Sequence, residues 1–90
     1  MTKIFEKDPV SKLDYALDWS TQLSSTDAIA TSVFTVPTGL TKEQEYIADG
    51  KPVVWLSGGE LNQTYEITNS ITTDEGREDN RRFLIKIVDL

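Results

Sequence analysis

The sequence predicts an all-β sandwich, and three observations carry that prediction. Apolar residues recur at every second position through short runs, as Leu13, Tyr15, Leu17 and Trp19 do in LDYALDW, the spacing of a strand with one buried face. Turn formers such as Gly39 and the Gly58-Gly59 pair separate these runs, at the spacing of about 8 to 12 residues typical of sandwiches and small barrels. The chain has 90 residues, enough for one thin core, because a chain of this length buries only about 60 to 70% of its unfolded surface.

Residues 1–12 are polar and contain Pro9, so they are expected to form an extended arm leading into a domain that spans 13–90. LDYALDW is the first strand, and the polar run STQLSSTD after it is a loop with Leu23 turned inward. AIATSVFTVP, from Ala28 to Pro37, is rich in β-branched residues and ends where proline cannot donate to a ladder. Its register is ambiguous: Ile29 and Val33 fall on one face and Phe34 and Val36 on the other, which a bulge would reconcile. After the turn at Gly39, the segment Thr41 to Gly50 has only Leu40, Tyr46 and Ile47 as anchors, too few for a short helix, so an edge strand around Glu43 to Ile47 is expected. KPVVWLS is a strand, GGELNQ a turn, and TYEITNSITT a strand with Tyr65, Ile67 and Ile71 on one face. DEGRED then closes a hairpin whose return strand, RRFLIKIVDL, turns Phe83, Ile85 and Ile87 to one side.

Tyr65 stands just after the glycine pair, at the start of a strand and two residues before inward-facing Ile67. A tyrosine so placed resembles the corner of immunoglobulin-like sandwiches, where the hydroxyl bonds nearby backbone and fixes the crossing between sheets. The expected fold is therefore an immunoglobulin-like Greek-key sandwich of about six to seven antiparallel strands, with the N-terminal arm outside it.

Composition narrows the function classes. Cysteine is absent, which removes disulfides, thiolate nucleophiles and a common zinc ligand. Histidine is absent too, so no side chain titrates near neutrality without a large perturbation, and acid–base catalysis would need a strongly shifted carboxylate or lysine. A net charge of −6 repels a phosphate backbone, so no nucleic-acid partner is expected. No apolar run reaches the roughly 20 residues of a membrane helix, and MTKIFEKDPV lacks the hydrophobic segment of a leader; a soluble chain made in the cytoplasm is expected, without membrane contact.

Individual candidates have simpler structural explanations. Asp74, Glu75, Glu78 and Asp79 lie within six residues but lack the alternation of a calcium loop and have Arg77 among them, which favours a solvated turn over a metal site. Arg77, Arg81 and Arg82 could clamp a phosphate, but arginines on strands of an acidic protein pair more often with carboxylates. Trp19 reads as core. Trp55 could face either way, since Val53 shares its face while Val54 and Leu56 share the other. Asn69 falls between Ile67 and Ile71 on an apolar face, and a buried amide needs partners, expected from a bulge or loop backbone. Asn62-Gln63-Thr64 fits the glycosylation pattern, which matters only in a secreted chain. No catalytic, cofactor-binding or metal-binding residue is assigned, and no cofactor is expected.

KDP at Lys7 to Pro9, LDYALDWS at Leu13 to Ser20, TVPTGLT at Thr35 to Thr41, VWLSGG at Val54 to Gly59 and TYEITNSITTDEGRED at Thr64 to Asp79 together resemble the small tail-associated proteins of bacteriophages and prophages described as fibre-tail adaptors. The chain departs from that pattern at Gln22 and Phe34, where tryptophan is common in the family. The resemblance implies a non-enzymatic virion structural protein that docks tail, fibre or connector subunits and is monomeric until assembly. It carries over no catalytic residue. The alternative is a sandwich module that binds carbohydrate or a host surface through exposed aromatics, Trp55 above all.

Overall fold

In the computed structural model, which describes residues 3–90, every regular element is a strand. The seven are β1 (Lys3–Lys7), β2 (Lys12–Ala16), β3 (Ile29–Thr35), β4 (Leu40–Ala48), β5 (Lys51–Gly58), β6 (Thr64–Thr73) and β7 (Glu78–Ile87). They form one sheet in the order β1-β7-β6-β3 and a second in the order β2-β5-β4. Only β4–β5 and β6–β7 are hairpins within one sheet; the other connections cross between sheets.

Alternation builds the core as the sequence implied. Val54 and Leu56 from β5 meet Ile67 and Ile71 from β6 and Phe83, Ile85 and Ile87 from β7. Phe34 closes the layer from β3, and Tyr15, Leu17 and Trp19 close it from β2 and the residues after it. Leu13, cross-strand from Leu56 on the edge strand, is 39% exposed. Leu23 packs against the core from its loop.

The N-terminus differs from the expectation. Met1 and Thr2 of the expected arm lie outside the described residues, but Lys3–Lys7 pair with Phe83–Ile87 as an edge strand. The pairing is parallel, so the strands are not all antiparallel as expected. Burial explains the docking: the Phe5 ring sits 5.2 Å from Tyr15 and 5.7 Å from Phe83, centroid to centroid. Two residues on, Lys7 is fully buried.

The ambiguity in β3 resolves through a bulge. Its register against β6 shifts between Ile29 and Thr31, and one extra residue brings Ile29 onto the inward face with Phe34 and Val36. Val33 is left pointing outward. β4 is an edge strand, exposed at every residue but Leu40, with its own register shift between Lys42 and Gln44. It returns through Asp49 (φ 51°) and Gly50 (φ 75°), a two-residue hairpin with both central residues at positive φ, which Asp-Gly favours.

Candidate docking surfaces

A sandwich leaves four strand edges, and each presents unpaired main-chain groups unless something covers them. On one side the edges of β3 and β4 lie across from each other. Glu45 of β4 accepts the Phe34 N–H at 2.9 Å, Lys42 donates to the Phe34 carbonyl at 3.0 Å, and the two side chains pair at 2.6 Å. Side chains of one edge thus occupy the polar groups of the other. Burial acts to raise the Glu45 carboxyl, but the bonds from Lys42 and the Phe34 N–H, with the Lys42 charge, hold it below the usual carboxylate range.

The opposite side is built around Lys7. Its ammonium group donates to the Gly58 carbonyl at 2.6 Å and to the Asp8 carbonyl at 2.9 Å. The end of β1 is thereby tied to the end of β5, across the two sheets. Desolvation pushes the Lys7 pKa below the ordinary lysine value, against the opposing pull of Asp8. β6 pairs β7 from Glu78 to Lys86, whereas β1 pairs it only from Phe83 to Ile87. Among the described residues, Glu78–Arg82 therefore have a strand on one side only.

The two tryptophans have opposite fates. Trp19 is core, 2% exposed, and its indole N–H donates to Asn69 Oδ1 at 3.0 Å. Asn69 in turn donates to Ser32 Oγ at 2.9 Å and the Val33 carbonyl at 3.3 Å, so the buried amide is satisfied by a tryptophan as well as by backbone. Trp55 lies on the outer face of β5, half-buried, with its indole N–H donating to the hydroxyl of Tyr46 at 3.0 Å. Asp14 and Gln44 flank it across the neighbouring strands.

The Tyr65 hydroxyl accepts the backbone N–H of Glu60, five residues upstream, at 3.1 Å. The ring lies over Gly39, where an added Cβ would stand 2.8 Å from the ring edge. The DEGRED acids do not gather, and among the described residues no three acidic side chains converge on a point that could hold a metal. The hairpin tip is instead pinned to the loop before β3. Arg77 donates at 2.8 Å to both Asp27 and Glu75, and Asp27 accepts the Ala28 and Glu75 amides. Burial acts to raise the Asp27 carboxyl, and bonds from Thr73, these amides and Arg77 outweigh it and hold it low. Arg77, Arg81 and Arg82 do not form one clamp, since Arg77 is engaged at the tip and Arg81 bonds the Asp18 carbonyl at 2.5 Å. Asn62 sits exposed in the β5–β6 turn at φ 69°.

Sequence reasoning missed Lys7, Asp27 and the Lys42–Glu45 pair. Only Lys7 left a trace: in KIFEK it shares a face with Phe5, a period-two pair too short to call a strand.

No helix among the described residues is long and apolar enough to cross a membrane. Compared with known families, the chain matches the model of the podophage GP4 fiber-tail adaptor protein gp77 over residues 7–86. The comparison with curated proteins finds no match.

Proposed function

From the premise that the chain belongs to the podophage fibre-tail adaptor family, we propose that it docks tail and fibre subunits of the virion through the shape and open strand edges of an immunoglobulin-like sandwich. The observation that carries the docking mode is that, among the described residues, Glu78–Arg82 of β7 have a strand on one side only, because strand addition gives affinity through main-chain bonds without special side chains. Identical copies around a symmetric tail multiply such weak contacts, so the isolated chain is monomeric and orders its partners only on assembly.

The strand order supports the immunoglobulin-like reading. β2-β5-β4 corresponds to strands B, E and D, and β7-β6-β3 to G, F and C, with Tyr65 at the start of the F strand. The first strand lies beside the last, where the constant-type arrangement places it on the opposite sheet. The reading is non-enzymatic, in keeping with a chain without histidine or cysteine. Capture by the purified chain of the tail and fibre proteins encoded beside it, and its loss from particles that lack tails, are the expected results. Recovery of neither protein refutes the adaptor reading.

The outer placement of Trp55 beside Tyr46 favours one second reading, a carbohydrate-binding face. A saturable shift in Trp55 emission on adding host polysaccharide supports it, and an unchanged spectrum excludes it.

A further inference from the structure

The outer face of the β2-β5-β4 sheet holds a side chain whose burial the core does not explain. Val54 and Leu56 take the inward positions of β5, so Val53 points outward, and it has no place in the core cluster, yet it is 6% exposed. Its neighbours on that face are Tyr46 and Ala16 directly across the two pairings, and Lys51 and Trp55 two residues away along β5. Ala16 offers one methyl group and Lys51 is itself exposed, so the two aromatic rings supply the cover. The bond from the Trp55 indole N–H to the Tyr46 hydroxyl closes the diagonal beside Val53 at 3.0 Å. The rings therefore lean over Val53 and form one aromatic platform, on which Tyr46 is 43% exposed. Asp14 and Gln44, both exposed, stand directly across from Trp55 on either side. Lys12 shares the Asp14 face of β2, and Glu43 reaches the same face to accept the Ser57 hydroxyl at 2.5 Å. The charges around the platform thus balance, Asp14 and Glu43 against Lys12 and Lys51, in a chain whose net charge is −6.

We propose that this platform binds an uncharged pyranose oligomer, one sugar ring stacked on Trp55, the next reaching Tyr46, and hydroxyl groups bonded to Asp14 and Gln44. That the ligand is a carbohydrate is the second reading above; that it is uncharged and oriented by Asp14 and Gln44 rests on that reading and goes further. The C–H groups on the flat side of a pyranose carry partial positive charge and meet the negative face of an aromatic ring. Its hydroxyl groups project around the rim, where a carboxylate and an amide on opposite sides of Trp55 fix the orientation. The indole–hydroxyl bond holds both rings before a ligand arrives, so binding costs little in side-chain ordering. Balanced local charge gives neither an acidic nor a basic sugar an advantage, and the net charge of the chain repels the acidic one. Area argues against a protein on this face. A stable interface buries about 800 Å² per partner, whereas the large apolar groups here are Tyr46, Trp55 and the already covered Val53.

The test follows the indole N–H resonances of the two tryptophans in the full chain by nitrogen-15 NMR, with calorimetry for affinity. Trp19, 2% exposed, reports on the core, and Trp55→Ala assigns the other resonance by its loss. The probes are cellohexaose, maltohexaose and mannohexaose, all uncharged, with hexamers of galacturonic acid and of glucosamine as charged controls. At least one uncharged oligomer is expected to shift the Trp55 resonance saturably while that of Trp19 stays in place. Trp55→Ala is expected to weaken binding about tenfold or more, and Asp14→Ala/Gln44→Ala to weaken it about tenfold with the platform intact. The Trp19 resonance certifies the fold of each variant; where Trp55→Ala loses it, the double variant, at two exposed positions, decides alone. No saturable shift with any of the three oligomers overturns the proposal and the carbohydrate reading together, while the adaptor reading, tested by capture of tail and fibre subunits, is untouched. If an oligomer binds, but a charged control binds as tightly or either variant keeps the wild-type affinity, the proposal falls and the carbohydrate reading stands without it.

Discussion

Replacing Asn69 by leucine keeps the number and branching of the side-chain heavy atoms and removes every polar side-chain atom from a wholly buried position. The indole N–H of Trp19 then has a donor and no acceptor in a site from which water is excluded, and an orphaned buried donor costs about 1–3 kcal/mol. The Val33 carbonyl and the Ser32 hydroxyl lose their contacts as well, though Ser32 is only half-buried and water compensates it in part. Against these losses stands the burial of a leucine in place of an amide, worth about 1 kcal/mol. The net expectation for Asn69→Leu is a destabilisation of about 2 kcal/mol, or a fall in Tm of about 8–16 °C for a domain of this size. Trp19→Phe alone removes the donor but leaves a cavity and an amide oxygen without its partner. Trp19→Phe/Asn69→Leu removes both ends of the bond, so the double variant is expected to be more stable than the sum of the single losses by about 1 kcal/mol or more. Urea unfolding followed by far-ultraviolet circular dichroism measures all four proteins, with an unchanged m-value as the check that the unfolded states are comparable. If Asn69→Leu is as stable as the wild type, or the coupling is below about 0.5 kcal/mol, the Trp19–Asn69 bond does not stabilise the core.

The Tyr15 hydroxyl is buried with no hydrogen-bond partner among the described residues, so Tyr15→Phe is expected to leave stability unchanged or raise it by up to about 1 kcal/mol; a loss above that in urea unfolding would reveal an unseen partner. For Lys7 the folded pKa lies below its unfolded value because of burial, so the unfolded state binds more protons between the two. Wild-type stability relative to Lys7→Met should therefore rise with pH through that window, up to about 10.5, and a flat difference would contradict the buried amine. Burial, and secondarily Asp14, raises the Tyr15 pKa and works in the opposite sense above pH 10, which is why the comparison is made against the lysine variant rather than on the wild type alone. Gly59 has φ 101° and an added Cβ would stand 2.5 Å from Ile87 Cδ1, whereas at Gly76, φ 92°, it would meet nothing. Gly59→Ala should thus cost clearly more than the roughly 1 kcal/mol of backbone strain expected for Gly76→Ala, and equal midpoints in thermal unfolding would refute the clash. Lys42→Ala/Glu45→Ala exposes the Phe34 N–H and carbonyl on the β3 edge, and sedimentation velocity should show concentration-dependent association that the wild type lacks.

What the sequence revealed, and what it hid, follows from the range of each interaction. Alternation is a local property, so the strands of TYEITNSITT and RRFLIKIV were legible with their inward faces, KPVVWLS was legible as a strand, and so was a Tyr65 hydroxyl bonded to nearby backbone, at Glu60 five residues away. Trp55 was not legible because β5 is apolar on both faces: the outward Val53 is itself only 6% exposed, so hydrophobicity carried no sign of direction. Trp19 and Asn69 were each recognised as inward, yet their bond spans fifty residues of sequence, and period two says which face a side chain takes without saying what stands across the core. Lys3–Lys7 hid for a different reason. Their single inward aromatic, Phe5, is too little pattern to register, and the strand exists because Tyr15 and Phe83 supply the other two rings. The docking surfaces were least legible of all, since an edge is a property of the assembled sheet.

The two sides of the sandwich are treated unequally, and that asymmetry bears on where a partner docks. On the β3–β4 side, three devices that discourage strand addition coincide: a bulge in each strand, a run of charged residues along β4, and side chains that occupy the Phe34 amide and carbonyl. On the β1 side, the described residues of the covering strand pair β7 only as far as Phe83, while β7 runs on through Arg82, Arg81, Asn80 and Asp79 to Glu78. Blocking an edge matters because an open ladder pairs with any strand it meets. A sandwich whose β3 and β4 edges are occupied, and whose β7 edge is open from Arg82 to Glu78 among the described residues, directs strand addition to one of its two sides.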